Sequence, residues 1–102
     1  MEIIWTDFAI ENLKIIFEFY AVKANKKVAH NLRKQIFNTT KQLINHPTSG
    51  QKELYLEKLE KDYRYVLSGN YKIIYKVEDS KIIISDVFDS RQNPEKMIDE
   101  KR

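Results

Sequence analysis

The chain contains no cysteine at all, which excludes disulfides, thiolate nucleophiles and cysteine-held zinc in one step. It has two histidines, His30 and His46, sixteen positions apart, a poor basis for a metal site. No metal and no cofactor are therefore expected. With two glycines and two prolines in 102 residues, it has neither a flexible linker nor a low-complexity stretch. No apolar run approaches the roughly 20 residues that span a bilayer. The opening Met1-Glu2-Ile3-Ile4-Trp5 lacks the basic and apolar blocks of a secretory signal, so a cytoplasmic protein with no membrane partner is expected.

What is present is an ordinary globular composition, 42% hydrophobic and 32% charged, enough for one core, and a single domain over residues 1–102 is expected. The net charge of +3 permits contact with phosphate but does not require it. The positions of the cations must decide.

Ile3, Ile4 and Trp5 form a β-prone run that Thr6 and Asp7 end, and either residue can cap a helix. Ala9, Leu13, Ile16, Phe17 and Tyr20 then recur on one face of a helix running to about Val22. Asn25 caps a second, with Ala29, Leu32, Ile36, Leu43 and Ile44 on its buried face and Pro47 closing it. Both histidines belong to this helix as exposed residues. From Thr48 to Asp62 the pattern weakens into a loop with room for one helical turn. Three β-prone runs follow, Tyr63 to Leu67, Tyr71 to Val77 and Ile82 to Phe88, with turns at 68–70 and 78–81. In the middle run Tyr71, Ile73, Tyr75 and Val77 share one face, and Lys72, Ile74 and Lys76 the other, which predicts a sheet with one face in water. The fold class is thus α+β: a two-helix hairpin packed on a small antiparallel sheet, in the order β-α-α-β-β-β, with room for a short C-terminal helix.

The opening hydrophobic-Trp-Thr, the segment from Tyr63-Arg64-Tyr65 to Tyr75-Lys76-Val77 with its Ser68-Gly69-Asn70 turn, and the ending Val87-Phe88-Asp89-Ser90-Arg91-Gln92-Asn93-Pro94 resemble the RelE/ParE superfamily of toxins from bacterial type II toxin-antitoxin pairs. The resemblance covers nearly the whole chain. It implies growth inhibition held in check by a cognate antitoxin, in a complex that can assemble further. It leaves two targets open, DNA gyrase for ParE-like members and the ribosome with its mRNA for RelE-like, metal-independent endoribonucleases. A non-toxic binding module or remnant is a third reading.

Matched position by position, Arg64, Lys72 and Arg91 correspond to basic members of the ribonuclease set, and together they would face one phosphate or contact the target. Asp89 and Tyr71 are further candidates. The chain departs from the RelE pattern at Val66, where a further basic residue is expected, at Met97, where a late tyrosine is expected, and at Asp89, where many members carry histidine. These departures and the Arg-Gln-Asn-Pro ending favour the ParE branch. Each cation also has a plainer reading: Lys72 on a solvated sheet face, Arg64 packing its stem on aromatic neighbours, and Arg91 pairing with Asp89. The lysines opening the second helix read as solvated surface. Exposed Ile74 or Met97 would receive the apolar anchors of a docking helix.

Overall fold

The structure, a computed structural model, describes residues 1–59 and 61–98. Strand β1 (Glu2–Trp5) leads into helix α1 (Asp7–Lys23), and α2 (Lys26–Lys41) continues into a short 3-10 turn at Gln42–Ile44. A two-residue strand β2 (Gln51–Lys52) and a 3-10 segment (Leu54–Leu59) precede β3 (Arg64–Ser68), β4 (Tyr71–Glu78) and β5 (Lys81–Asp89), and a last 3-10 turn spans Pro94–Ile98. No helix among the described residues is long and apolar enough to cross a membrane.

Local chemistry sets the helix starts. The Thr6 hydroxyl accepts the Ala9 N–H at 3.1 Å, and the Asn25 side chain accepts the Val28 N–H at 2.9 Å. The same Thr6 hydroxyl donates to the Ser85 carbonyl, tying the start of α1 to β5. Thr6→Ala is expected to lower stability by about 1 kcal/mol, the usual worth of a helix cap, read as a shift of the urea midpoint at unchanged slope.

The five strands lie in the order β1-β5-β4-β3-β2. The β3-β4-β5 meander is antiparallel as expected, and Asp79 and Ser80, both at positive φ, close its second hairpin in a two-residue turn. β1 pairs with β5 in parallel, which a long connection through the helical hairpin permits. β5 carries one residue more than β4 opposite Ile74 and Tyr75. This bulge brings Ile84 and Val87, three positions apart, into the same core. That core lies between helices and sheet, with Ala9, Leu13 and Ile36 meeting Ile73, Tyr75, Ile82 and Ile84.

Two expectations are corrected. The outer sheet face is not a solvated basic surface: Ile74 and Phe88 are each 1% exposed, in a second apolar cluster with Leu56, Tyr63, Tyr65 and Met97. Residues 54–59 and 94–98 cover it, because Leu56 and Met97 turn inward there. Ile74 is therefore not open to a docking partner, and Met97 is half-buried. The second helix also ends at Lys41 rather than running to Pro47. The tighter 3-10 turn keeps Leu43 buried but rotates Ile44 into solvent, 42% exposed, and leaves His46 beyond the helix.

Candidate functional site

The three candidate cations do not converge. Register pairs Arg64 with Tyr75 and Leu67 with Lys72, so Arg64 lies on the helix-facing side of the sheet and Lys72 on the outer side. Arg64 donates to the Thr48 and Gly50 carbonyls and pairs with Asp62, which makes it a clamp on the loop before β2. Lys72 sits over the Tyr65 ring at 4.3 Å and pairs at 2.8 Å with Glu53, a carboxylate only 5% exposed. A buried carboxylate needs its counter-charge, so Lys72 is committed to structure. Glu53 lies nineteen positions upstream in an aperiodic stretch, and nothing local in the sequence marks it as that partner.

Arg91, Asp89 and Tyr71 do come together. Tyr71 opens β4 directly opposite Asp89, the last residue of β5, and Arg91 follows two residues later. Arg91 grips Asp89 with both Nε and Nη2, at 2.9 and 2.8 Å, while its backbone N–H also donates to that carboxylate. The Tyr71 hydroxyl donates to that of Tyr20, at the end of α1, at 3.4 Å. Ile15, Ile16 and Phe19 of α1 wall the resulting cleft of about 360 Å³, and Gln92 completes the Arg91 side. Ile15 and Phe19 remain half exposed, an apolar margin that the helix periodicity did not reveal because it read only the core face of α1.

Electrostatics favours one fixed arrangement. Hydrogen bonding from Arg91 holds the Asp89 carboxyl below its usual range, and the same pairing raises the guanidinium, with Tyr20 adding to it. Burial, and then the Tyr20 hydroxyl, push the Tyr71 phenol well above its ordinary value, so it stays neutral. The cluster thus presents an anchored cation beside the neutral Tyr71 phenol, and its carboxylate is too acidic to serve well as a base. Because Asp89 titrates lower in the folded state, its contribution to stability is complete above the ordinary carboxylate range and is lost as pH falls through the lowered value. Asp89→Asn should therefore be less stable than the natural chain at neutral pH, with the gap closing as the pH falls below the ordinary carboxylate range, measured by urea unfolding across pH.

The histidines stand apart from this cluster. His30 packs edge-on against Phe17 and meets Arg33 on the α1–α2 side, while His46 is exposed beyond α2.

The family model described as the ParE toxin of the type II toxin-antitoxin system parDE matches residues 3–94. The chain belongs to the ParE toxin family. A solved structure described as a chromosomal ParDE toxin-antitoxin system from P. aeruginosa shares its fold at a TM-score of 0.72, with 19% identity, over 85% of this chain and 92% of that one. No curated protein sequence matches it. The ParE family match spans both the helical hairpin and the Asp89–Arg91 corner, so the cleft is built entirely from matched residues.

Proposed function

We propose that this ParE toxin arrests growth by acting on DNA gyrase, without cleaving RNA, and that a partner antitoxin neutralises it. The observation that carries the reading is the division of the cations between the two sides of the sheet. Scission of RNA by its own 2′-hydroxyl needs a proton acceptor, a proton donor and cations gathered around one phosphate. Here Arg64 holds a loop, Lys72 neutralises Glu53, and the outer face is occupied by the chain's own residues. The cluster around Arg91 joins a half-exposed cation to an apolar margin, as a protein-docking surface does. Arg91, with Tyr71 and Asp89 as its supports, is assigned to target contact. The antitoxin assignment draws on family membership and on the similarity to a structure described as a ParDE toxin-antitoxin system.

The test is to induce the protein without an antitoxin and map mRNA 5′ ends across the genome before growth stops, while assaying gyrase for trapped cleavage complexes. Intact messages with accumulated gyrase–DNA complexes are expected. New 5′ ends inside translated codons would replace this reading with ribosome-dependent cleavage.

A further inference from the structure

Charge is distributed unevenly along the chain. Between Glu18 and Glu53 lie seven lysines and arginines and not one carboxylate, so the remainder, with eleven basic and fifteen acidic residues, is net negative. Helix α2 carries most of this surplus, as Lys26, Lys27, Arg33, Lys34 and Lys41. Its buried residues are Ala29, Ile36 and Thr40. At about 100° per residue, Lys27, Asn31, Lys34, Gln35, Asn38 and Lys41 fall on the opposite side, within an arc of about 120°. All six are exposed. Lys27, Lys34 and Lys41 recur every seven residues, which sets them in a row at intervals of roughly 10 Å.

This row differs from the lysines of the sheet side. Lys61, Lys72 and Lys76 each pair with a carboxylate, whereas among the described residues Lys27, Lys34 and Lys41 form no ion pair. Arg33 turns away from the row, over the Phe17 ring at 4.6 Å and bonded to His30. The residues that share the arc, Asn31, Gln35 and Asn38, are neutral amides, which can donate hydrogen bonds to an anion without repelling it.

We infer that this outer face of α2 binds the phosphate backbone of duplex DNA, the segment held by gyrase when the toxin arrests it. The choice of DNA over an RNA duplex rests on the gyrase reading above. A protein partner would gain little on this face, because lysine is depleted from the centre of protein interfaces and the arc holds no apolar anchor. A single strand would gain little as well, since its bases are held by stacking on aromatic rings and the arc has none. Lys, Asn and Gln side chains on a rigid helix are the groups that grip phosphate oxygens and position a protein on a duplex without reading its sequence. None of the residues walling the Arg91 cleft belongs to α2, so contact with the enzyme at that corner and contact with DNA along α2 draw on separate residues.

The first measurement takes the protein alone with a fluorescent, random-sequence DNA duplex, followed by anisotropy across a salt series. Each phosphate neutralised contributes about −0.9 to the slope of log association constant against log salt, so three lysines predict a slope of about −2.7. Lys27→Gln/Lys34→Gln should flatten it by about 1.8 and weaken binding at low salt by roughly tenfold or more. Gln35→Glu/Asn38→Asp, which keeps every lysine but places carboxylates in the arc, should also weaken binding. Lys58→Gln, in the 3-10 segment over the outer sheet face, should leave it within about twofold. All these positions are exposed, and the melting temperatures should stay within a few degrees of the natural chain. In the second measurement, gyrase and supercoiled plasmid are titrated with toxin, and Lys27→Gln/Lys34→Gln should need roughly tenfold more protein than the natural chain to trap the same amount of cleaved DNA.

Absence of duplex binding, an unchanged salt slope in the double variant, or tighter binding of an RNA hairpin or a single strand than of the DNA duplex overturns the assignment. So does trapping by the double variant at the natural chain's concentrations. Duplex binding through the α2 row with no gyrase trapped even by the natural chain has a different meaning: the phosphate-binding face stands and the gyrase reading falls.

Discussion

Gly50→Ala is expected to cost about 3 kcal/mol, lowering the melting temperature by on the order of 15 °C. A Cβ on Gly50 would lie 2.6 Å from the Tyr75 hydroxyl oxygen, 2.8 Å from its ring and 2.8 Å from the Tyr65 carbonyl oxygen. Tyr75 is completely buried, and its hydroxyl both donates to the Pro47 carbonyl at 2.8 Å and accepts the Gly50 N–H at 3.0 Å. An added methyl therefore strikes the group that satisfies two backbone atoms, and an unpaired buried polar group costs about 1–3 kcal/mol. Tyr75→Phe removes the hydroxyl but not the Tyr65 carbonyl, which belongs to the β3 backbone. The double variant Gly50→Ala/Tyr75→Phe is accordingly expected to be no more stable than Gly50→Ala alone. Thermal unfolding of the three variants tests this, and a Gly50→Ala melting point within a few degrees of the natural chain would mean that the loop before β2 yields where we take it to be fixed.

That loop also explains how the sequence misleads about Arg64. Its correspondence to a basic member of the ribonuclease set made it a candidate to face phosphate, but its partners are the carbonyls of Thr48 and Gly50, distant in sequence and brought near by the Tyr75 clamp. Period-two alternation correctly put Tyr71, Ile73 and Tyr75 on the helix side, and the helix caps at Thr6 and Asn25 were legible because capping is a local interaction. The outer face was not legible in the same way. Ile74 looked like an exposed apolar residue between two lysines because the cover over it comes from Leu56 and Met97, in segments too short to carry a period. Lys72 was misread for the same reason: a buried counter-ion such as Glu53 leaves no trace in local spacing. The Arg91 corner was better marked, since Asp89 and Arg91 are two residues apart at a strand end, and only their meeting with Tyr20 and Tyr71 required the fold.

These differences separate the candidate residues by experiment. Arg91→Ala is expected to reduce growth arrest at least a hundredfold, counted as surviving colonies after induction, with a melting temperature within a few degrees of the natural chain. The small stability effect follows from its position, because the guanidinium is more than half exposed and water screens an exposed ion pair. The large functional effect follows if the cation meets the target, because a truncated arginine at the centre of an interface is among the costliest losses. Arg91→Lys should recover only part of the activity, since an ammonium keeps the charge but cannot grip Asp89 through two parallel bonds while facing outward. Arg64→Ala should behave differently, losing stability and toxicity together as the loop before β2 loosens. Undiminished arrest by a folded Arg91→Ala variant would remove Arg91 from the target surface and shift the search along the same cleft to the exposed apolar margin of Ile15 and Phe19.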